Sequence, residues 1–93
     1  MGTFRYNQYM PWHVYIARAR TGRYYTGISP NPKKRLEDHN NDRGAKLAHD
    51  QGPFTMVYIS PPFSDQKLAR KREKQIKGWT QAKKEKLIRG EWK

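Results

Sequence analysis

The stretch WHVYIARARTGRYYTGI, residues 12–28, decides how the chain is read. Its first half alternates, with Val14 and Ile16 on one face and Tyr15, Ala17 and Ala19 on the other, and its aromatic and β-branched content suits a pleated strand. Arg20-Thr21-Gly22 is a turn signal, residues 23–28 form a second strand, and the two predict a β-hairpin. Two registers stay open. With Thr21-Gly22 as a two-residue loop, Tyr25 lies opposite Arg18 and Tyr15 points to the other face. With Arg20-Thr21-Gly22 as a three-residue loop, Tyr25 faces Ala17, Tyr15 is its diagonal neighbour, and Gly22 takes the left-handed position of a bulge. Only the second register gives the two tyrosines a shared face.

Downstream of the hairpin, Asn31 suits a helix N-cap and Pro32 the first helical position, so a short helix is expected over 32–40. Residues 40–53, broken by Gly44 and Gly52, read as a long loop of the kind that often carries function. Residues 54–60 (FTMVYIS) read as a third strand, whose near-continuous apolar run predicts a central place in the sheet; Pro61-Pro62 end it. Ser64 is expected to cap a helix running to residue 77 with Gly78 as its stop, and Thr80 a further helix over 81–89. Residues 1–11 lack a period and read as an arm, residues 90–93 as a tail, and 12–89 as the domain. The order β-β-α-β-α-α specifies an α/β fold, a small three-stranded, mostly antiparallel sheet flanked by helices.

Ninety-three residues support one domain. Leu, Ile, Val and Phe make up only about 15% of the chain, a level that points to disorder when net charge is high. Three Trp and six Tyr supply the missing apolar surface. No stretch matches a membrane span or a secretion signal, so the chain is expected to be soluble and cytoplasmic. The absence of cysteine excludes disulfides, thiolate metal sites and thiol nucleophiles. His13, His39 and His49 form no zinc pattern, and no phosphate-binding glycine motif appears, so no nucleotide cofactor is expected. Twenty Lys and Arg against eight acids give a net charge of +12, which implies a polyanionic partner, DNA or RNA. Residues 66–93 alone carry +8 of it.

Several residues are candidates for chemistry. Tyr15 and Tyr25 form a site in one hairpin register and two sheet-stabilising aromatics otherwise. Arg35 and His39 share a helix face at i, i+4 spacing, where the arginine's planar fork suits a phosphate; the alternative is a solvated basic run of Lys33, Lys34 and Arg35. Glu73 is the sole acid between residues 66 and 84. On a helix it lies at the margin of a stripe formed by Leu68, Ala69 and Ile76, where one carboxylate suits a hydrated Mg²⁺; the alternative is an ion pair with Lys77. Trp79 and Trp92 read as staples of the last helix, with base stacking as the alternative.

Val14-Tyr15-Ile16, Tyr25-Thr26-Gly27-Ile28, Lys34-Arg35-Leu36-x-x-His39-Asn40 and Glu73-x-x-Ile76-Lys77, in this order and at these intervals, resemble the GIY-YIG nuclease superfamily, in particular its small bacterial members. The resemblance spans nearly the whole chain. It implies hydrolysis of a DNA phosphodiester with one Mg²⁺ or Mn²⁺, as in the nicking domain of the nucleotide-excision repair nuclease and certain homing and restriction endonucleases. Tyr15 matches the tyrosine that deprotonates the attacking water, and Tyr25 the one that helps order water or phosphate. Arg35 matches the arginine that stabilises the phosphate in the transition state, His39 a histidine that assists proton transfer, and Glu73 the metal's carboxylate ligand. Lys33, Lys34, Lys46, Arg70, Lys74 and Lys77 are the expected DNA contacts. Tyrosine, with an ordinary pKa of about 10, becomes a base only where cations favour the phenolate. The first motif has His13-Val14 where its namesake has Gly-Ile. Ile28 stands where some members have a phosphate-binding lysine, and no asparagine follows Glu73. The leading expectation is a monomeric DNA endonuclease; the contrasting one is a DNA- or RNA-binding module with the same fold and no activity.

Overall fold

The computed structural model describes residues 11–41 and 46–92. It contains β1 (His13–Arg18), β2 (Tyr24–Ser29), α1 (Pro32–Asn41), α2 (Lys46–Gln51), β3 (Thr55–Ile59), α3 (Gln66–Lys77) and α4 (Gln81–Ile88). The three strands form one antiparallel sheet in the order β2-β1-β3. The expected fold class holds, with α2 as an addition.

The sheet separates two apolar clusters. On one face Val14 and Ile16 pack with Ala69 and Ile76 of α3 and Leu87 of α4. On the other, Ala17, Ala19 and Phe54 pack with Tyr15, Tyr25 and Leu36, which brings α1 onto that side. β1 is buried on both faces and β2 forms an edge, so a groove opens where β2 runs out between α1 and α3.

β3 is an edge strand rather than the central one its composition suggests. Its apolar run comes from a bulge. Ile16 pairs with Tyr58 but Ala17 with Met56, so Val57 is the extra residue. Val57 and Tyr58 consequently both pack toward the α3 and α4 cluster, and the apolar run records broken alternation, not burial on two faces.

Residues 40–53 also contain more structure than expected, because α1 reaches Asn41 and α2 follows at 46–51. A six-residue helix is too short for its period to show in sequence. It is held from a distance: the Arg20 side chain donates to the carbonyls of Asp50 (2.8 Å) and Gly52 (2.7 Å), and its backbone N–H to that of Gln51 (2.8 Å).

α3 is capped by Asp65, not Ser64; its carboxylate accepts the Leu68 N–H at 2.8 Å. A negative cap at a helix N-terminus also suits the dipole. Leu68 lies off the apolar stripe, 47% exposed, and the buried residues are Ala69, Glu73 and Ile76. α4 is capped by Thr80 as expected and ends at Ile88. Gly90, at φ +83°, closes it with bonds from Gly90 N to Leu87 O and from Glu91 N to Lys86 O. The Trp79 and Trp92 rings meet at 6.4 Å with the Lys83 ammonium over both, so they staple α4. Among the described residues no helix is long and apolar enough to cross a membrane.

Candidate active site

The hairpin adopts the three-residue loop. Tyr15 pairs with Gly27 and Ala17 with Tyr25, while Ala19 N donates to Arg23 O (2.7 Å) and Gly22 N to Ala19 O (2.9 Å) across the turn. Gly22 has φ +96°, a conformation glycine adopts without strain. Tyr15 and Tyr25 therefore share the α1 face of the sheet. At Gly27 the requirement is space: a Cβ there would stand 2.6 Å from the Tyr15 hydroxyl oxygen and 2.7 Å from Cζ. The Tyr15 phenol thus lies across Gly27, and its hydroxyl has no hydrogen-bond partner among the described residues.

Arg35 arrives on α1. Asn31 caps this helix by accepting the Lys34 N–H (3.3 Å), and Ser29 steadies the cap by accepting the Asn31 N–H (3.0 Å). Arg35 is exposed on the second turn and has no carboxylate partner among the described residues. One turn later, the His39 ring lies 5.0 Å from that of Phe54, whose other neighbour is Tyr25 at 5.5 Å and edge-on. Asn40 fixes Phe54 by donating to its carbonyl (3.0 Å) and accepting from its N–H (2.8 Å).

Glu73 arrives on α3 from the opposite side of the sheet, buried to 9% exposure. A buried carboxylate needs compensation. Lys77 supplies part of it at 3.3 Å, so the i, i+4 ion pair does form. Glu73 still faces a groove of about 370 Å³ that Gly27, Arg35, Arg70 and Trp12 also line. This groove unites α1, β2 and α3 around the glycine beneath Tyr15. Lys34 is engaged elsewhere: its ammonium meets Asp38 at 2.7 Å, and that hydrogen bond and charge hold its pKa above the ordinary lysine value.

Among the described residues no three His, Cys, Asp or Glu side chains cluster as a metal cage. One buried carboxylate on an open groove fits a different arrangement, a hard divalent ion that keeps most of its waters and takes substrate phosphate oxygens. The residues fit such an ion.

The structure thus brings Arg35, Glu73 and Arg70 to one groove, with the Tyr15 phenol lying against Gly27 in its wall. Tyr25 and His39 sit around Phe54 on the Tyr15 face, outside the groove lining. Lys33 and Lys74 are exposed, Lys77 lies against Glu73, and the Lys46 side chain lies outside the described residues. Sequence reasoning missed Trp12, which bridges to Phe63 through paired backbone bonds of 3.0 and 2.7 Å and lines the groove. Asn40, the last residue of the motif that begins at Lys34, holds the Phe54 backbone rather than lining the groove.

A family model described as the GIY-YIG catalytic domain matches residues 11–86. The chain is 35% identical over 78 residues to the UPF0213 protein YhbQ of Escherichia coli K12, covering 84% of this chain and 77% of that protein. The counterpart from Escherichia coli O8 is 33% identical over the same coverage. The solution NMR structure of a UPF0213 protein from Bacillus halodurans is similar at a TM-score of 0.52 and 31% identity, over 83% of this chain and 81% of that one. On residues, fold and comparisons together, the chain belongs to the GIY-YIG nuclease family.

Proposed function

We propose that the protein is a divalent-metal-dependent endonuclease that hydrolyses phosphodiester bonds in DNA, with residues 12–89 as the nuclease unit. The observation that carries this reading is that the Tyr15 hydroxyl lies against Gly27, while Arg35 and the buried Glu73, from two other elements, line the groove that Gly27 also lines. In the reaction a water oxygen bonds to phosphorus, the P–O bond to the leaving strand breaks, one proton leaves the water and one reaches the leaving oxygen. Tyr15 orients the water and takes its proton. Arg35 donates N–H groups to the non-bridging oxygens, where charge grows in the transition state. Tyr25 and His39 brace Phe54 on the Tyr15 face of the sheet and hold that face in place. Glu73 would hold the metal, and a divalent ion there would offset phosphate charge and acidify the attacking water. Arg70, Lys33 and Lys74 attract the flanking phosphates.

A second reading, a nucleic-acid-binding module without activity, is favoured by one observation: Glu73 already has a cation, Lys77, at 3.3 Å. Nicking of supercoiled plasmid with Mg²⁺ or Mn²⁺ separates the two. The nuclease reading expects wild-type protein to convert plasmid to open circles, and Tyr15→Phe, Arg35→Ala and Glu73→Gln to lose about 10²-fold or more. If wild type and Glu73→Gln bind DNA and leave it equally intact, the binding module stands instead.

A further inference from the structure

Leu68 has the composition of a core residue but the position of a surface one, 47% exposed on α3. Helical residues advance about 100° apiece around the axis. Beyond Lys77, which pairs with Glu73, the surface of α3 therefore presents Arg70, Lys74, Lys67 and Lys71, with Leu68 past Gln75. No acid interrupts that sweep, since Glu73 is the helix's single carboxylate and is buried. None of these four cations has an ion-pair or hydrogen-bond partner among the described residues. The five side chains border a shallow concavity of about 420 Å³, and Arg70 is also a wall of the catalytic groove. The two depressions thus adjoin at Arg70.

We propose that this outer face of α3 holds the DNA flanking the cleaved phosphate, and that Leu68 packs against a base edge where stacking is broken. The protein would then prefer a duplex interrupted by a missing or extruded base. Cations set around an apolar side chain match the two surfaces that DNA offers at such a break, charged phosphates and an uncovered base. Apolar side chains enter duplexes at unstacked steps, and the cost of entry is least where the stack is already interrupted. The proposal rests on the nuclease reading of the adjoining groove for its placement of the strand.

Fluorescence anisotropy in EDTA, with a short labelled duplex and the same duplex lacking one base, tests it without cleavage. Wild type is expected to bind the interrupted duplex about fivefold tighter, what burial of the exposed half of a leucine supplies. Leu68→Ala should bind both duplexes equally, with affinity for the continuous one within about twofold. Lys67→Ala/Lys71→Ala should weaken both and reduce the slope of log affinity against log salt by about two. All these side chains are exposed, and circular dichroism verifies that the variants fold. A wild type without preference, a Leu68→Ala that keeps it, or an unchanged salt slope overturns the proposal. Binding to phosphatidylserine vesicles as tight as to DNA also overturns it, reassigning the face to membrane. Failure of the nuclease reading looks different: binding as expected, with no nicking in Mg²⁺ or Mn²⁺.

Discussion

Replacing Gly27 with alanine tests the site at its narrowest point. Its backbone lies outside the left-handed region, so alanine meets no dihedral strain and the effect is steric. The added Cβ would stand 2.6, 2.7 and 3.0 Å from Oη, Cζ and Cε2 of Tyr15. Ordinary carbon contacts lie near 3.5–4.0 Å, so the phenol must move by about 1 Å. A displacement of that size at a reacting group costs on the order of 10²-fold in rate. Stability should fall by only about 1 kcal/mol, the low end for overpacking, because the ring is partly exposed and its far end can yield. Plasmid nicking gives the first number and urea denaturation the second. In a Tyr15→Ala background the same substitution should cost almost nothing in stability, which makes the pair a double-mutant cycle. Full activity in Gly27→Ala would refute the placement of the Tyr15 hydroxyl as a participant. An equal stability loss in both backgrounds would show that the clash lies elsewhere.

Three further outcomes are expected. Asn40→Ala removes both hydrogen bonds that hold Phe54 and should lower unfolding free energy by about 1–3 kcal/mol, read by urea denaturation. Thr26→Val replaces a buried hydroxyl that has no partner among the described residues with an isosteric methyl and should leave stability unchanged or raise it by up to about 1 kcal/mol in the same assay. The Tyr24 hydroxyl, raised in pKa first by burial and then by Glu85, to which it donates at 3.2 Å, favours the protonated form in the folded state. Its contribution is complete below the ordinary tyrosine value of 10.0 and is lost as pH rises through the folded one; Tyr24→Phe should therefore flatten the alkaline fall in stability measured by thermal melts.

Where the sequence was legible, one local rule decided each element. The hairpin followed from alternation and a glycine turn, and its register from whether Gly22 could take positive φ. α1 followed from Asn31 and Pro32, α4 from Thr80. The α3 cap differs by a local choice between Ser64 and Asp65, whereas the larger differences depend on partners far along the chain. α2 is tied down by Arg20, about thirty residues earlier. β3 is misplaced because a bulge opposite Ile16 and Ala17 spoils its alternation. The stripe of α3 was assigned by hydrophobicity alone, which favoured Leu68 over Glu73, whereas the helix is rotated to carry the carboxylate inward. Arg35 and His39 do share a helix face as their spacing requires, yet only Arg35 reaches the groove, because Phe54 stands beside His39.

That rotation of α3 ties fold to chemistry. Turning Leu68 inward would bury more apolar surface, by about 1 kcal/mol for the exposed half of the side chain, and would carry Glu73 toward solvent. The observed rotation gives that up and places a carboxylate at the groove with Lys77 as its cation. It also presents Arg70, Lys74, Lys67 and Lys71 outward in an unbroken band. The net charge of +12 is accordingly not one undivided attraction for phosphate. Arg20 is committed to the carbonyls of α2's end, Lys34 to Asp38, Arg89 to Glu91, and Arg72 and Lys83 to the tryptophan rings. Those cations are engaged by nearby partners. The cations left unpaired along α3, with Arg35 across the groove, form one continuous field leading to Gly27. The same helix rotation that exposes a leucine therefore sets both the lone acid and the basic approach to it.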